Sequence, residues 1–180
     1  MKVLSSVENF IEFRNLIVNE VRDDKPCLAI CAGTGGQASG SNDIIRIIKR
    51  HIIEQNLNEK ISLRITGCLG FCEMDPFIIV EPGFNLYPKL KMEDVPKIID
   101  AAVEGRIIEE MLYKEPGKEK QYNSQSEIPF FKNQTRTVLG INQKLDPIRI
   151  FNYIKTGGYE AFGKVISNPE PDWIINEIID

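Results

Sequence analysis

Four cysteines carry most of the chemistry that this sequence offers. They form two pairs, Cys27/Cys31 and Cys68/Cys72, with three residues between the members of each pair. The first residues lack the basic region and unbroken apolar stretch of a signal peptide, so we expect a cytoplasmic location, where thiols stay reduced. In that compartment, a repeated cysteine spacing favours metal ligands or reactive thiols over disulfides.

Glycine-rich loops adjoin three of these cysteines. Cys31 leads into the loop 32–36, and Cys68 and Cys72 enclose a second loop. The glycines that we expect to line a bound cofactor are Gly33, Gly35 and Gly70. Soft thiolates suit iron, and glycine lets backbone N–H groups approach the sulfur atoms and tune a reduction potential. The pattern therefore favours an iron–sulfur cluster.

Other interpretations of these residues are weaker. Buried cysteines also serve as small core residues. Structural zinc sites favour a gap of two residues between cysteines, and thiol–disulfide exchangers show Cys-x-x-Cys. The glycine loop 32–36 lacks the signatures of a phosphate-binding loop. His51 is the only histidine, whereas a Rieske-type site needs two, so we expect His51 to be a surface or cap residue.

The alternation of apolar residues predicts a small α/β domain with a mixed sheet flanked by helices. The predicted elements are a helix over 5–21, a strand over 27–31, an irregular loop over 32–36, a helix over about 41–53, strands over 61–65, 77–80 and 84–87, and a helix over about 92–104. No stretch approaches 18 consecutive apolar residues, so we expect no membrane insertion. The net charge of −4 argues against nucleic-acid binding.

The composition changes after this domain. Residues 113–135 are polar, contain Pro116, Gly117 and Pro129, and predict a linker. Residues 136–180 predict a short, mainly helical tail. Its expected elements are a strand-like piece over 137–139 and helices over 146–155, 158–165 and 171–179. A tail this short is too small for its own core, so we expect it to pack on something else.

An ordered set of motifs resembles the thioredoxin-like [2Fe–2S] ferredoxin module. This module forms a small subunit of respiratory complex I, and it precedes the flavoprotein in NADH-linked bifurcating hydrogenases. The motifs that carry the resemblance are Cys31-Ala-Gly-Thr-Gly-Gly-Gln-Ala-Ser-Gly40, Thr66-Gly-Cys-Leu-Gly-Phe-Cys72 and Met92-Glu-Asp-Val-Pro-Lys97. Later motifs resemble the opening of the NADH- and flavin-binding subunit: Pro129-Phe-Phe-Lys-Asn-Gln134, Leu145-Asp-Pro147 and Tyr153-Ile-Lys-Thr-Gly-Gly-Tyr159.

The resemblance implies a ligand set that this chain fills only in part. Cys31, Cys68 and Cys72 occupy three of the family's ligand positions, but Gly36 stands at the remaining one. On this basis Gly36→Cys should complete the set and stabilise a cluster. Cys27 is the other candidate for the fourth ligand. Along an extended strand it lies roughly 13 Å from Cys31, at about 3.3 Å per residue, so we favour a buried strand position for it.

The resemblance implies a [2Fe–2S] domain over 1–112, the linker 113–135, and a fragment of a flavoprotein subunit over 136–180. The expected function is electron transfer within an NADH-linked oxidoreductase, with flavoprotein and iron–sulfur subunits as partners in a hetero-oligomer. The alternative is a cluster-free docking module of the same fold. Relatives continue into a flavin-binding segment, whereas this chain ends at Asp180, so we expect a truncated chain or a split subunit without its own flavin or NAD site.

Overall fold

The computed structural model describes residues 5–20, 25–118 and 120–179. The ends of the predicted domains at 1–4 and 180, and the end of the first predicted helix at Val21, lie outside these residues. The chain divides into two compact units, one formed by 23–147 and the other by 1–22 together with 148–180. None of the helices in the described residues is both long and apolar enough to cross a membrane.

The larger unit is built on a four-stranded mixed sheet with the order β2-β1-β3-β4. The strands are β1 (Cys27–Cys31), β2 (Ser62–Thr66), β3 (Ile78–Glu81) and β4 (Asn85–Tyr87). β1 pairs parallel to β2 and antiparallel to β3, and β3 pairs antiparallel to β4. The predicted fold class is therefore confirmed, and each predicted strand of this unit lies within one residue of its observed bounds.

One face of the sheet is covered by two helices, as the sequence predicts. α3 (Ser41–Glu54) follows the parallel strand β1, and α4 (Val95–Val103) follows β4 after a 3₁₀ turn over Met92–Asp94. The isoleucines that α3 buries recur at helical spacing and meet the side chains of β1 and β3 that point to this face. These isoleucines are Ile44, Ile45, Ile48 and Ile52.

His51 joins these two helices. Its Nε2 atom lies 2.8 Å from Oδ1 of Asp100 on α4. The side chain of His51 is 16% exposed, so the contact is partly shielded from water. The histidine that the sequence predicts as a surface or cap residue therefore holds α3 against α4.

The glycine loop after β1 is more regular than its composition predicts. Residues Thr34–Ala38 form a short helix, α2, although the sequence predicts no regular structure over 32–36. Gln37 N–H donates to the Gly33 carbonyl at 2.9 Å, and its side-chain amide donates to the Ala32 carbonyl at 2.8 Å. These hydrogen bonds stabilise a turn of helix despite the poor helix propensity of glycine.

The opposite face of the sheet is covered by the segment predicted as a linker. Tyr113, Tyr122 and Ile128 are buried there with Ile79 and Leu86 of the sheet. This cover includes a short 3₁₀ turn over Gln125–Glu127, followed by α5 (Pro129–Lys132). The 3₁₀ turn over Glu109–Met111 precedes it, and Met111 packs with the cluster under the helices. Polar composition predicts a linker, but a few large apolar side chains are enough to hold the segment on the sheet. The domain boundaries inferred from the resemblance stay a prediction.

Residues 137–139 do not form the predicted strand. They adopt bends within the larger unit, and Val138 is 85% exposed. A strand needs a partner edge to satisfy its backbone groups, and the only isolated bridge in the described residues pairs Lys114 with Gln121.

The smaller unit joins the first helix to the last three. It contains α1 (Val7–Glu20), α6 (Ile150–Lys155), α7 (Glu160–Ser167) and α8 (Pro171–Ile179). Phe13 of α1 meets Phe151 of α6 edge-on at 6.0 Å between ring centroids, and Arg14 forms an ion pair with Glu160. The tail helices thus find in α1 the packing partner that their small size requires.

We expect Ile128→Ala to lower the free energy of unfolding by about 2–5 kcal/mol, because it leaves a cavity under the covering segment. Ile128 is 1% exposed. Val138→Ala is the matched control and should change stability by about 0.5 kcal/mol or less, since Val138 is 85% exposed. Chemical denaturation measures both changes. Equal effects of the two substitutions would show that residues 113–131 do not pack on the sheet.

Candidate metal centre

The pairing of β1 with β2 brings the two glycine loops together. Cys31, the last residue of β1, is paired in register with Thr66, the last residue of β2. Because the strands are parallel, the chain leaves both at the same end of the sheet. The loop with Cys68 and Cys72 therefore starts beside the loop that follows Cys31.

The thiols of Cys31, Cys68 and Cys72 lie close to one another. The Sγ atoms of Cys68 and Cys72 are 3.5 Å apart. Cys31 enters the first loop two residues before Gly33, whose backbone packs against Cys68. The structure thus brings together three of the predicted ligands, one from the first loop and two from the second.

Glycine allows the two loops to touch. A Cβ atom on Gly33 would lie 2.8 Å from Cβ of Cys68, and a Cβ atom on Gly35 would lie 2.9 Å from Sγ of Cys72. A side chain at either position would require its neighbour to shift. Two of the predicted cofactor-lining glycines, Gly33 and Gly35, are therefore places where backbone packs directly against a cysteine.

Backbone N–H groups point at the sulfur atoms. Gly70, with a left-handed φ of +79°, donates its N–H to Sγ of Cys68 at 3.3 Å. At Cys31, burial raises the pKa of the thiol, and the backbone N–H groups of Gly33 and Leu69 act in the opposite direction. Hydrogen bonds of this kind stabilise thiolates and tune metal-bound sulfur.

The thiols of Cys31 and Cys72 nevertheless have a raised pKa. Burial raises the pKa of Cys31 despite the hydrogen bonds that it accepts. The hydrogen bond with Cys68, followed by burial and nearby negative charge, raises the pKa of Cys72 to about 11. A positive centre reverses this balance, since metal ions deprotonate the thiols that coordinate them.

Gly36 does not offer room for the thiolate that the family places there. It is buried in α2, and a Cβ atom on it would lie 2.6 Å from the carbonyl oxygen of Cys31 and 2.9 Å from Oγ of Ser41. A cysteine at this position must displace backbone. The expectation that Gly36→Cys completes the ligand set is therefore corrected, because the packing of α2 against β1 opposes it.

Cys27 lies at the other end of β1. Its Sγ accepts a hydrogen bond from Arg64 at 3.3 Å, and the same guanidinium binds both oxygens of Glu81, at 3.0 and 2.6 Å. The strand is regular from Cys27 to Cys31, which keeps the two thiols a strand's length apart. The structure therefore does not bring Cys27 to the other three cysteines.

Sequence reasoning missed one acidic residue beside the thiols. Asp75 is 5% exposed, and neither of its carboxylate oxygens has a hydrogen-bond partner. The signal available in the sequence is its position three residues after Cys72, which places the two side chains on one side of a 3₁₀ turn.

Sequence reasoning also missed the groups that hold the second loop. Phe130 stacks on Phe71 with 4.4 Å between ring centroids. Arg136 donates to the Leu69 carbonyl, and Asn142 donates to the Cys68 carbonyl at 3.2 Å. The segment after residue 128 thus holds the loop from Cys68 to Phe71, although its polarity gives no sign of this role.

Cys31 ends β1, whereas Cys68 and Cys72 lie after β2. Within residues 5–20, 25–118 and 120–179, no three His, Cys, Asp or Glu side chains are arranged to hold one metal ion. A [2Fe–2S] cluster divides its ligands between two irons, so they need not meet at one point. The protein therefore combines a thioredoxin-like mixed sheet with a group of cysteine thiols on two neighbouring glycine loops.

Comparison with known proteins identifies the family. Residues 4–103 match the model of the thioredoxin-like [2Fe-2S] ferredoxin. Since the match covers more than half of the chain, the chain belongs to the thioredoxin-like [2Fe–2S] ferredoxin family. Ferredoxins transfer electrons, so membership indicates electron transfer and a [2Fe–2S] cluster.

The individual relatives are distant. A "Ferredoxin, 2Fe-2S" from Clostridium pasteurianum is 23% identical over 75 residues, which are 41% of this chain and 74% of that protein. The wild-type thioredoxin-like [2Fe-2S] ferredoxin from Aquifex aeolicus is 21% identical, with a TM-score of 0.46, over 51% of this chain and 98% of that one. A second structure of a ferredoxin from that organism gives 22% identity, a TM-score of 0.45, and coverage of 52% and 97%.

We expect Gly36→Ala to lower the free energy of unfolding by about 1–3 kcal/mol, because the added methyl group meets the Cys31 carbonyl. Gly67→Ala is the control in the neighbouring loop, since its Cβ atom would meet only Asn142, at 3.4 Å or more. Its effect should stay within about 0.5 kcal/mol. Denaturant titration compares the two. A Gly36→Ala protein as stable as the wild type would show that the site has room for a side chain.

Proposed function

We propose that this chain is an electron-transfer module that holds a [2Fe–2S] cluster through Cys31, Cys68 and Cys72. The observation that carries the proposal is the meeting of these thiols, from two loops, with Sγ atoms 3.5 Å apart in the second loop and backbone N–H groups directed at the sulfurs. Family membership supports the same cofactor. When bound, such a cluster accepts and releases one electron.

The residues around the thiols suit this role. Cys31 is 2% exposed and sits among apolar side chains, while Cys72 is exposed. A site with one buried side excludes water from part of the cofactor, and one exposed ligand keeps a path to a redox partner. The backbone N–H groups of Gly33, Leu69 and Gly70 stabilise negative charge on the sulfur atoms, which lowers the free-energy cost of bringing several thiolates together.

We further propose that the module works within an NADH-linked oxidoreductase, beside flavoprotein and iron–sulfur subunits, in the cytoplasm. The support is the resemblance of 129–134, 145–147 and 153–159 to the opening of an NADH- and flavin-binding subunit. Exposed apolar side chains on the last helices, such as Ile178 at 79% exposure, are consistent with contact to another subunit. Co-purification of the tagged chain with a flavin-containing subunit tests this part.

A cluster-free docking module is the second candidate. It is favoured by one observation, the crowding of Gly36, which leaves the family's ligand position without room for a thiolate. The two candidates share the fold and differ only in whether iron is bound.

We expect anaerobically purified or reconstituted protein to hold about two iron atoms and about two acid-labile sulfides per chain. The matched variants Cys31→Ala, Cys68→Ala and Cys72→Ala should lose nearly all of this iron. Cys27→Ala should retain it, because Cys27 lies at the other end of β1 beside Arg64. Iron and sulfide analysis, visible absorption and EPR of the reduced protein measure the difference.

Circular dichroism of each variant provides the control for folding. Folded wild-type protein that takes up no iron after reconstitution would favour the docking module. If only Cys27→Ala lost its iron, the ligands would lie at the other end of β1, and this result would contradict the proposed site.

A further inference from the structure

The Asp75 carboxylate is buried without the partners that a buried charge requires. It is 5% exposed, and neither Oδ1 nor Oδ2 has a hydrogen-bond partner. Lys89, whose charge acts on this carboxyl, donates to the carbonyl of Glu73. A buried carboxylate without hydrogen bonds is strongly disfavoured, so such a group in a folded protein calls for an explanation.

Asp75 faces the same space as the thiols. A Cβ atom on Gly35 would lie 2.9 Å from Sγ of Cys72 and 3.9 Å from Oδ2 of Asp75, so both side chains border the same glycine. The 3₁₀ turn over Cys72–Met74 produces this arrangement, because residues three apart lie one above the other in such a turn. The Asp75 N–H donates to the Cys72 carbonyl at 3.1 Å and closes the turn.

The carboxylate also acts on the more distant thiol. Burial is the largest cause of the raised pKa of Cys31, and the hydrogen bond with Cys68 is the largest for Cys72, but the charge of Asp75 contributes to both. Burial raises the pKa of the Asp75 carboxyl itself, while the Cys72 thiol and the charge of Lys89 lower it. A carboxyl oxygen therefore lies beside the thiols, next to the glycine that Cys72 also borders.

The other two candidates for a fourth ligand are excluded by position. Gly36 has no room for a side chain, and Cys27 is held by Arg64 at the far end of β1. Carboxylates are established ligands of protein-bound iron, and a change of one ligand type is known in [2Fe–2S] centres, where Rieske proteins replace two thiolates with histidines. Replacement of a single thiolate by a carboxylate keeps the number of negative ligands unchanged.

We infer that Asp75 supplies the fourth ligand to the [2Fe–2S] cluster, in place of the cysteine that the family carries at the position of Gly36. The inference rests on the proposed function, since it requires that the cluster is bound. A cationic centre at this point gives both carboxylate oxygens the partner that they lack in the described structure. The site is then a three-cysteine, one-aspartate site.

The central experiment compares Asp75→Asn with Glu73→Gln after anaerobic reconstitution. Both substitutions remove one negative charge from the same turn, but Glu73 is exposed and Asp75 is buried. We expect Asp75→Asn to lose its cluster to an iron chelator about tenfold faster than the wild type or more, because a ligand is removed. The EPR g values of any remaining cluster should shift. Glu73→Gln should match the wild type in both measurements.

A second variant separates ligation from folding. Asp75→Cys should bind iron at the wild-type stoichiometry, with stronger visible absorption at longer wavelength, because thiolate gives more intense charge-transfer bands than carboxylate does. Without iron, Asp75→Asn should melt at a temperature equal to or higher than the wild type, since an unpaired buried charge is removed. A carboxylate with a purely structural role would give the opposite result for the iron-free protein.

The outcomes distinguish this inference from the proposed function. Wild-type protein that binds no iron would overturn both. Wild-type and Asp75→Asn proteins with equal iron content, equal chelator resistance and identical EPR spectra would overturn only the assignment of Asp75, and the three thiols would remain as ligands.

Discussion

The candidate site depends on the parallel pairing of β1 with β2. Because Cys31 and Thr66 are partners in register, the two chain segments that follow them leave the sheet side by side. A slip of one residue would turn Cys31 toward the face covered by α3 and α4, since side chains alternate along a strand. The apolar residues of β1 prevent such a slip, because Leu28 and Ile30 are fully buried against the helices while Ala29 and Cys31 face the other side.

Close packing then fixes the loops that this pairing brings together. Gly33 and Gly35 lie directly against Cys68 and Cys72, so the first loop approaches the second at backbone distance. On its outer side, the second loop is held by Phe130, Arg136 and Asn142. A cofactor site held between two rigid surfaces keeps its ligands in place before the cofactor arrives, which reduces the cost of binding. The covering segment is thus part of the site's support.

The sequence predicts the sheet and the long helices, because each depends on local patterns. Strand alternation, isoleucine spacing on α3 and glycine-punctuated loops are visible without any knowledge of distant contacts. The failures depend on distant contacts. Residues 113–135 are polar on average but bury Tyr113, Tyr122 and Ile128. The lack of room at Gly36 and the buried state of Asp75 arise only when separate elements pack together.

The acidic groups at this site are more stable with a bound cation than they are when the site is empty. Burial raises the pKa of Cys31 and of Asp75, and the hydrogen bond with Cys68 raises the pKa of Cys72 to about 11, so these three groups resist ionisation when no cation is near them. Ionising them together without a counter-charge would compound the cost, because each negative charge opposes the next. When a cation is bound, it attracts each of these ionised groups, and the attraction outweighs the repulsion between them. The same packing therefore raises the pKa of each group and gives the group as a whole a high affinity for a cation.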